Sequence, residues 1–336
     1  METKIDFVVT WVDSNDLKWK HEKEIYQGKV DDEIQDCRYR DWGLFKYWFR
    51  GVEKYASWVN KVYLITYGHI PEWLNIDNPK LVIVNHKDYI EEKYLPTFNS
   101  NVIELNLNKI NELSENFVLF NDDMYLTDFT KPEDFFSDGK PVLPIALNVH
   151  CPVKGVFIQE ICFHNAEIIN NYYEMKECIK SNKKLWFNLK NGKALFRTIL
   201  LYNCPRFSGF YTDHLPVPHL KSTFEKLWDL EEEKLNEVSS HRFRNGNEIN
   251  HWLMQDWNIV SGNAINKSFK FGKVFHIDEK STEIACKEIC ECLIKGKYKE
   301  ICINDTENTG IKFEKYIEDI IKAFDYIFPN KSRFEK

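Results

Sequence analysis

Short apolar runs alternate with amphipathic stretches over the first third of the chain. A run that is apolar throughout is typical of a strand buried on both faces, so we predict strands at residues 5–12, 62–66, 81–84 and 117–120. Apolar side chains that recur every three or four residues predict helices at residues 38–56 and 99–110. Strands that alternate with helices in this way favour an α/β domain with a largely parallel sheet.

The pattern changes after residue 150. Long polar stretches, rich in Asn, Lys and aromatic residues, predict a mostly helical insertion or lid at residues 150–260. A further short strand is predicted at residues 300–303. The last predicted helix carries Ile317, Ile320, Phe324 and Ile327 on one side.

The composition is that of a folded, acidic protein. Its 336 residues are 43% hydrophobic and 15% aromatic, which is enough for a sizeable core and suits one large catalytic domain, or a core with a smaller subdomain. The net charge of −7 argues against a nucleic-acid partner, because such proteins normally carry a basic face. A local basic pocket for a phosphorylated ligand stays compatible with this charge.

The nine cysteines have no regular spacing, which predicts reduced thiols in a cytosolic setting. The densest group, Cys286, Cys290 and Cys292, lacks the paired spacing of a zinc site and is predicted to lie in a helix or core. The N-terminus has no apolar signal region, and no apolar stretch approaches the roughly 20 residues of a spanning helix. We therefore expect a soluble protein, and peripheral contact with a membrane stays open.

Two adjacent carboxylates follow the fourth predicted strand. Asp122 and Asp123 come directly after residues 117–120, and ligands of open α/β sheets bind beyond the carboxyl ends of the strands. Carboxylates at that edge can hold a divalent cation, which then clamps a diphosphate. An ordinary turn is the alternative, because Asn and Asp favour turns.

Three further aspartates lie in or near predicted strands. Asp13 ends the first strand and Asp305 follows the strand at residues 300–303, so each suits either a ligand contact or a turn. Asp6 lies within the first strand or at its start, where an unpaired carboxylate would be costly.

Two later segments carry imidazoles and cations. Prolines keep residues 213–221 extended, and this stretch places His214, His219 and Lys221 on one short loop. A histidine can act as a general base or donate a hydrogen bond to a phosphate. Arg244 follows, and arginine suits bidentate phosphate binding. A stiffened surface loop and exposed Arg–Glu pairs are the alternatives.

Taken in order, these segments resemble the Stealth family of sugar-phosphate transferases, which includes bacterial capsule polymerases and the animal lysosomal-enzyme GlcNAc-1-phosphotransferase. The block IDFVVTWVD at residues 5–13 comes first. The long block from RYRDWGLFKY at residue 38 to FNDD at residue 123 is the most specific. Shorter blocks follow at residues 214–219, 244–250, 302–305 and 328–335, whereas residues 130–210 look like the variable part of the family.

The resemblance implies a reaction and a fold. An acceptor hydroxyl would attack the phosphorus that bears the sugar of a UDP-sugar, so that UMP leaves and a hexose-1-phosphate, expected to be N-acetylhexosamine-1-phosphate, is joined to a glycan or lipid-linked oligosaccharide. We expect a Rossmann-like nucleotide-sugar-binding core of the glycosyltransferase-A kind. Residues 1–130 would form this α/β half, 131–212 a variable and mostly helical insertion, and 213–336 a second catalytic half.

The resemblance also implies roles for individual residues. The expected catalytic set is His214, Arg244, Asp123 and Asp305. Mg²⁺ or Mn²⁺ would be held by Asp122, Asp123 and Asp305. His214 is the first candidate for the general base, and donation to a phosphate is its alternative role. The donor would be bound by Asp6, Thr10, Trp11, Asp13, Arg40, Asn99 and Lys221, with Arg40 and Arg244 stabilising the phosphates.

Two other functions stay open. A metal-dependent glycosyltransferase would use the same carboxylates but release UDP. A non-catalytic glycan-binding module would use the 10 Trp and 16 Tyr side chains as stacking platforms. The resemblance implies a bacterial, cytoplasmic enzyme, with contact at the inner membrane face or with capsule-assembly proteins left open.

Overall fold

The computed structural model describes residues 4–27, 42–277, 282–305 and 310–336. The strands within these ranges are β1 (Ile5–Thr10), β2 (Val62–Thr66), β3 (Leu81–Asn85), β4 (Asn116–Asn121), β5 (Met124–Leu126), β6 (Phe136–Ser137), β7 (Lys140–Leu143), β8 (Val217–Leu220), β9 (Ile265–Asn266), β10 (Gly272–Ile277) and β11 (Glu300–Asp305). The helices are α1 (Leu17–Gln27), α2 (Phe45–Tyr55), α3 (Ser100–Leu105), α4 (Phe157–Tyr172), α5 (Met175–Ser181), α6 (Lys183–Trp186), α7 (Ala194–Leu201), α8 (Lys221–Leu230), α9 (Glu232–Ser239), α10 (Trp252–Val260), α11 (Thr282–Lys295) and α12 (Gly310–Ile327).

A five-stranded sheet in the order β3-β2-β1-β4-β8 forms the centre of the fold. The first four of these strands are parallel, and β8 is antiparallel to β4. The prediction of an α/β domain with a largely parallel sheet is therefore confirmed. Because β8 runs in the opposite direction, it enters the sheet at the edge where β4 leaves it. The residues just before β8 are thereby brought to the carboxyl end of β4.

Both faces of this sheet are buried. Along β1, Phe7 and Val9 pack on one face in a cluster that includes side chains of α2, α11 and α12, whereas Val8 packs on the other face with side chains of α4, α8 and α10. This double burial explains why the strands read as continuous apolar runs in the sequence.

A three-stranded sheet in the order β10-β11-β5 extends this carboxyl edge. The strand β5 begins directly after the turn that follows β4, and β11 runs antiparallel to it with Cys302 opposite Met124. The amide of Ile303 donates to the carbonyl oxygen of Asp123 at 2.9 Å. The predicted strand at residues 300–303 is confirmed as part of β11, and it lies beside the aspartate pair.

Two predicted helices have different bounds in the structure. The helix predicted from residue 38 begins at Phe45, because Gly43 has a φ of 71°, in the left-handed region that a regular helix excludes. Residues 38–41 lie outside the described ranges. The segment 99–110 divides into α3 and a separate 3₁₀ turn at Leu107–Lys109.

The later part of the chain is mostly helical, as its polar pattern predicted. The helices α4 to α7 fall between residues 157 and 201, after the short strands β6 and β7. The limits of the insertion at residues 131 and 212 stay a prediction. Cys286 and Cys292 are buried side chains of α11, and the cysteines within the described ranges are free thiols. Among the described helices, none combines the length and the apolar character that crossing a bilayer requires.

Candidate active site

Asp123 lies at the centre of a polar cluster on the carboxyl edge of the sheet. Its Oδ2 atom is 3.3 Å from Nε2 of His214, 3.2 Å from Sγ of Cys302 and 3.4 Å from Nδ2 of Asn304. Its Oδ1 atom is buried and has no hydrogen-bond partner among the described residues. One carboxylate oxygen is thus held by the protein, while the other is a buried acceptor that a cation would satisfy.

Asp123 and His214 form an ion pair. Burial alone would raise the pKa of Asp123, but the charge and hydrogen bond of His214, with the hydrogen bonds of Cys302 and Asn304, hold the pKa below its ordinary value. For His214, burial acts to lower the pKa, yet the adjacent Asp123 and the charge of Glu104 raise it above its ordinary value. The imidazole therefore holds its proton more tightly than an ordinary histidine does.

Glu104 belongs to the same cluster, and the sequence analysis missed it. This residue of α3 is only 4% exposed, and burial raises the pKa of its carboxyl to about 7, although the charges of Arg244 and His214 act to lower it. Its Oε2 atom is 3.8 Å from Nε2 of His251. A carboxyl that titrates near neutrality beside an arginine and a histidine is suited to proton transfer.

The signal for Glu104 in the sequence is weak. Asn101, Val102, Glu104 and Leu105 are all buried, so α3 has no polar face that would have set its apolar face apart. A charged residue inside such a segment is the only sequence signal, because a buried charge must be compensated.

Arg244 is also brought to this cluster. Its Nη2 atom donates to Oγ of Ser100 at the start of α3, and its charge lowers the pKa of Glu104 and of His251. Burial is the main cause that places the pKa of His251 well below its ordinary value. The arginine therefore supplies a permanent positive charge next to His214 and Glu104.

A buried network holds the loop that carries Arg244. Oε1 of Glu248 accepts hydrogen bonds from Nδ2 of Asn99 at 2.8 Å and from the amide of Asn245 at 3.1 Å, and Oε2 accepts from Nδ2 of Asn101 at 2.6 Å. Asn99 caps α3, because its Oδ1 accepts from the amide of Asn101. Asn99 thus orients α3 and, through it, Glu104.

One group of side chains, around Asp123, could hold a divalent cation. Single ligand atoms of Asp123, His214 and Cys302 lie within 4.8 Å of one another. Cys302 is a protonated thiol here, since burial and the charge of Asp123 raise its pKa well above the ordinary value. Magnesium prefers oxygen ligands, so the buried Oδ1 of Asp123 is the part that suits it. Asp122 precedes it in the chain, and its predicted role as a ligand stays a prediction.

Two of the predicted site residues cannot be compared with the structure, because their side chains lie outside its described part. Asp305 ends β11, two residues beyond Ile303, and its side chain lies outside the description. Arg40 lies outside the described residues altogether. Their predicted roles stay predictions.

Asp6 and Lys221 lie at the opposite end of the sheet. Oδ1 of Asp6 accepts from Nδ2 of Asn60 at 2.7 Å, and Oδ2 accepts from the amide of Ser114 at 2.8 Å. Nζ of Lys221 donates to the carbonyl of Ile110 at 2.8 Å. Both side chains tie connecting segments to the amino-terminal end of the parallel strands, away from Asp123.

Thr10, Trp11 and Asp13 lie on the same edge as Asp123. Thr10 is opposite Asn121 in the pairing of β1 with β4. Trp11 stacks on Phe45 with ring centroids 5.6 Å apart. The carboxylate of Asp13 accepts from the amide of Asn15 at 2.8 Å, so this aspartate stabilises the turn after β1.

The chain is similar to proteins of bacterial polysaccharide synthesis. The family model described as Stealth protein CR2, conserved region 2, matches residues 38–142. A capsular polysaccharide phosphotransferase, WcwK of Streptococcus pneumoniae, is 44% identical over 99% of this chain and 98% of the relative. A receptor polysaccharide phosphotransferase, WefC of Streptococcus oralis, is 42% identical over 99% of each chain.

Among solved structures, the chain aligns with the galactosyltransferase LgtC in complex with donor and acceptor sugar analogues. The alignment covers 94% of this chain and 95% of that one, at 8% identity and a TM-score of 0.37. The order and direction of the strands define the fold.

Proposed function

We propose that this chain, which belongs to the Stealth family, transfers a hexose-1-phosphate from a UDP-sugar to a hydroxyl of a glycan acceptor, releases UMP and forms a phosphodiester in a capsular or cell-surface polysaccharide. The observation that carries the proposal is the cluster of Asp123, His214, Arg244 and Glu104 at the carboxyl edge of the sheet. The two streptococcal relatives support it, because both are named as polysaccharide phosphotransferases.

The cluster has the parts that phosphoryl transfer requires. In the proposed step the acceptor oxygen bonds to the phosphorus that carries the sugar, the bond from this phosphorus to the oxygen of UMP breaks, and the hydroxyl proton passes to a base. Arg244 would stabilise the negative charge on the phosphoryl oxygens. When bound at Asp123 and Asp122, a divalent cation would add positive charge to the same oxygens.

His214 is the proposed base. Its Nε2 atom faces Asp123, so Nδ1 remains for the acceptor hydroxyl once the imidazole is neutral. Glu104, whose carboxyl titrates near neutrality beside Arg244, is a second site that can hold a proton. We propose that Thr10, Trp11 and Asp13, on the same edge, contact the nucleotide-sugar.

The test is the identity of the released nucleotide. Purified protein would be incubated with UDP-N-acetylhexosamines and glycan acceptors, the nucleotide separated by chromatography, and the product followed by ³¹P NMR. We expect UMP and a phosphodiester signal. UDP with a phosphate-free product would instead establish a glycosyltransferase, and acceptor binding without nucleotide release would establish a glycan-binding module.

The role of His214 is tested by substitution. His214→Ala should lower the transfer rate by about 10²–10⁴-fold, because general base catalysis contributes that much. His164→Ala is the matched control, since His164 lies on α4 near the surface and contacts only Glu167 through its side chain among the described hydrogen bonds and ion pairs. Equal activity of the two variants would remove His214 from the mechanism. Unchanged activity after exhaustive chelation would remove the cation from Asp122 and Asp123.

A further inference from the structure

One segment of this acidic protein is strongly basic. Residues 178–212 contain no Asp or Glu, in a chain whose net charge is −7. All of its cationic side chains are exposed, namely Lys180, Lys183, Lys184, Lys190, Lys193, Arg197 and Arg206. Arg206 pairs with Glu174, whereas the lysines have no ion pair among the described residues. The segment therefore presents several uncompensated positive charges.

Large apolar side chains are exposed among these charges. Leu189 is 88% exposed, Phe196 72%, Leu200 76% and Ile199 49%. The inner side of α7 is held to the fold, because Thr198 is buried and its Oγ1 accepts from the amide of Leu147 at 3.0 Å. The opposite side of α7 consequently faces outward.

The outer face of α7 combines the two kinds of side chain. Phe196, Ile199 and Leu200 lie at helical spacing on this face, and Lys193 and Arg197 flank them. Leu189 lies in the turn before the helix. Cations around protruding apolar side chains are typical of elements that lie in the interface of a bilayer containing anionic lipids.

We propose that α7 and the turn at Leu189–Asn191 dock this protein on an anionic lipid bilayer, with the apolar side chains inserted between headgroups and the lysines against lipid phosphates. The positive charge of residues 178–212 favours an anionic bilayer as the partner, because such a surface complements the segment along its whole length. The rest of the protein is acidic. The docking does not depend on the reaction proposed above.

The docking face contacts the segment that leads into α4. Nη1 of Arg197 donates to Oδ1 of Asn148 at 2.7 Å, and the exposed Val149 and Val153 follow Asn148 in the chain. The chain then enters α4, where Glu160 packs against Gly246, close to Arg244 in the sequence.

Vesicle sedimentation tests the proposal. The full chain would be mixed with vesicles of phosphatidylglycerol and phosphatidylcholine, or of phosphatidylcholine alone, at low and high salt. We expect binding to the anionic vesicles that weakens as salt rises, and little binding to the neutral ones. The triple variant Lys183→Gln, Lys190→Gln, Lys193→Gln should bind roughly a hundredfold more weakly, since each cation near an anionic surface contributes about fivefold.

A second variant tests insertion separately from charge. Phe196→Ser with Leu200→Ser should also lose most binding, while Ile284→Ser with Ile294→Ser should bind as the wild type does. The control pair is matched, because Ile284 and Ile294 are exposed apolar residues of another helix, α11.

Three results would overturn the proposal. They are equal binding to neutral and anionic vesicles, no binding to anionic vesicles at low salt, and full binding by both the lysine and the Phe196 variants. Loss of self-association in the Phe196 variant, with vesicle binding unchanged, would assign α7 to a protein contact instead. Circular dichroism checks folding, and the lysine variant, which changes only exposed side chains, tests the proposal even where the apolar variant is unstable.

Discussion

At the scale of single residues, burial of the Glu104 carboxyl lowers the stability of the folded protein at neutral pH. Its carboxyl is buried, and burial raises its pKa to about 7, so the folded protein must remove a charge from water whenever the pH is above that value. The unfolded chain ionises the same carboxyl near its ordinary value of about 4.3. The difference in pKa is a cost in folding free energy that appears as the pH rises from about 4 to 7 and is constant above it.

We predict that Glu104→Gln stabilises the free protein and abolishes transfer. At pH 8 the gain in the free energy of unfolding should reach about 3 kcal/mol, since each unit of pKa shift corresponds to about 1.4 kcal/mol. At pH 4 the gain should vanish, because the carboxyl is then neutral in both states. Urea unfolding at the two pH values and the transfer rate measure both effects.

Glu248→Gln is the control for this prediction. Glu248 is also buried, but its oxygens accept hydrogen bonds from Asn99, Asn101 and the amide of Asn245. A glutamine there would turn an amide group toward these donors and should lower stability by about 1–3 kcal/mol. If both variants lose stability equally at pH 8, burial of the ionised Glu104 carboxylate does not destabilise the folded protein.

At the scale of elements, the sequence predicted β1, β2 and β4 because each is apolar for most of its length and buried on both faces. It also predicted β3 and β11, but not the six strands β5 to β10. It could not predict how β8 and β11 pair, since these strands join neighbours far away in the chain. The strand β8 is antiparallel to β4, and β11 is antiparallel to β5. These directions bring His214 and Cys302 to Asp123. The proline loop and the Asn-Asp-Asp turn were visible as motifs, while their contact depends on pairing that local patterns do not encode.

Three other differences between the sequence predictions and the structure can each be traced to particular residues. Asp6 was singled out as a buried carboxylate, and the structure shows its partners to be Asn60 and the Ser114 amide, which sequence alone does not reveal. Glu104 was missed because α3 is buried on several sides. The start of α2 was predicted too early because periodicity does not report the conformation of Gly43.

Gly51 sets how closely α2 approaches β5. A Cβ atom at this position would lie 2.9 Å from the backbone oxygen of Leu126 and 3.5 Å from the ring of Phe328. Gly51→Ala should gain about 1 kcal/mol in helix propensity. Displacing the strand backbone costs more, so we expect a net loss of about 1–2 kcal/mol in the free energy of unfolding. Urea unfolding with an unchanged m-value checks this, and a more stable variant would show that α2 and β5 can separate without cost.

At the scale of the whole molecule, buried imidazoles link stability to pH. His86, His219 and His251 are all buried, and Nε2 of His219 is 3.0 Å from Nδ1 of His251. Burial lowers the pKa of His86 and of His219 to about 3. Each folded imidazole is therefore neutral over most of the acid range, whereas the unfolded chain protonates it near its ordinary value of about 6.5.

These pKa shifts predict that the folded protein loses stability in acid. The part that comes from one histidine can be measured by replacing that histidine. Because the unfolded state binds the extra proton, the contribution of each buried imidazole is fully present above pH 6.5 and falls by about 2 kcal/mol between pH 7 and pH 5. Glu104 acts in the opposite direction over this range, so the informative quantity is a difference between variants. His86→Leu should show a loss of stability from pH 7 to pH 5 that is about 2 kcal/mol smaller than that of the wild type, measured by urea unfolding. His164→Leu, at the surface, should leave the loss unchanged. If both variants behave as the wild type, His86 reaches solvent or gains a proton in the folded protein.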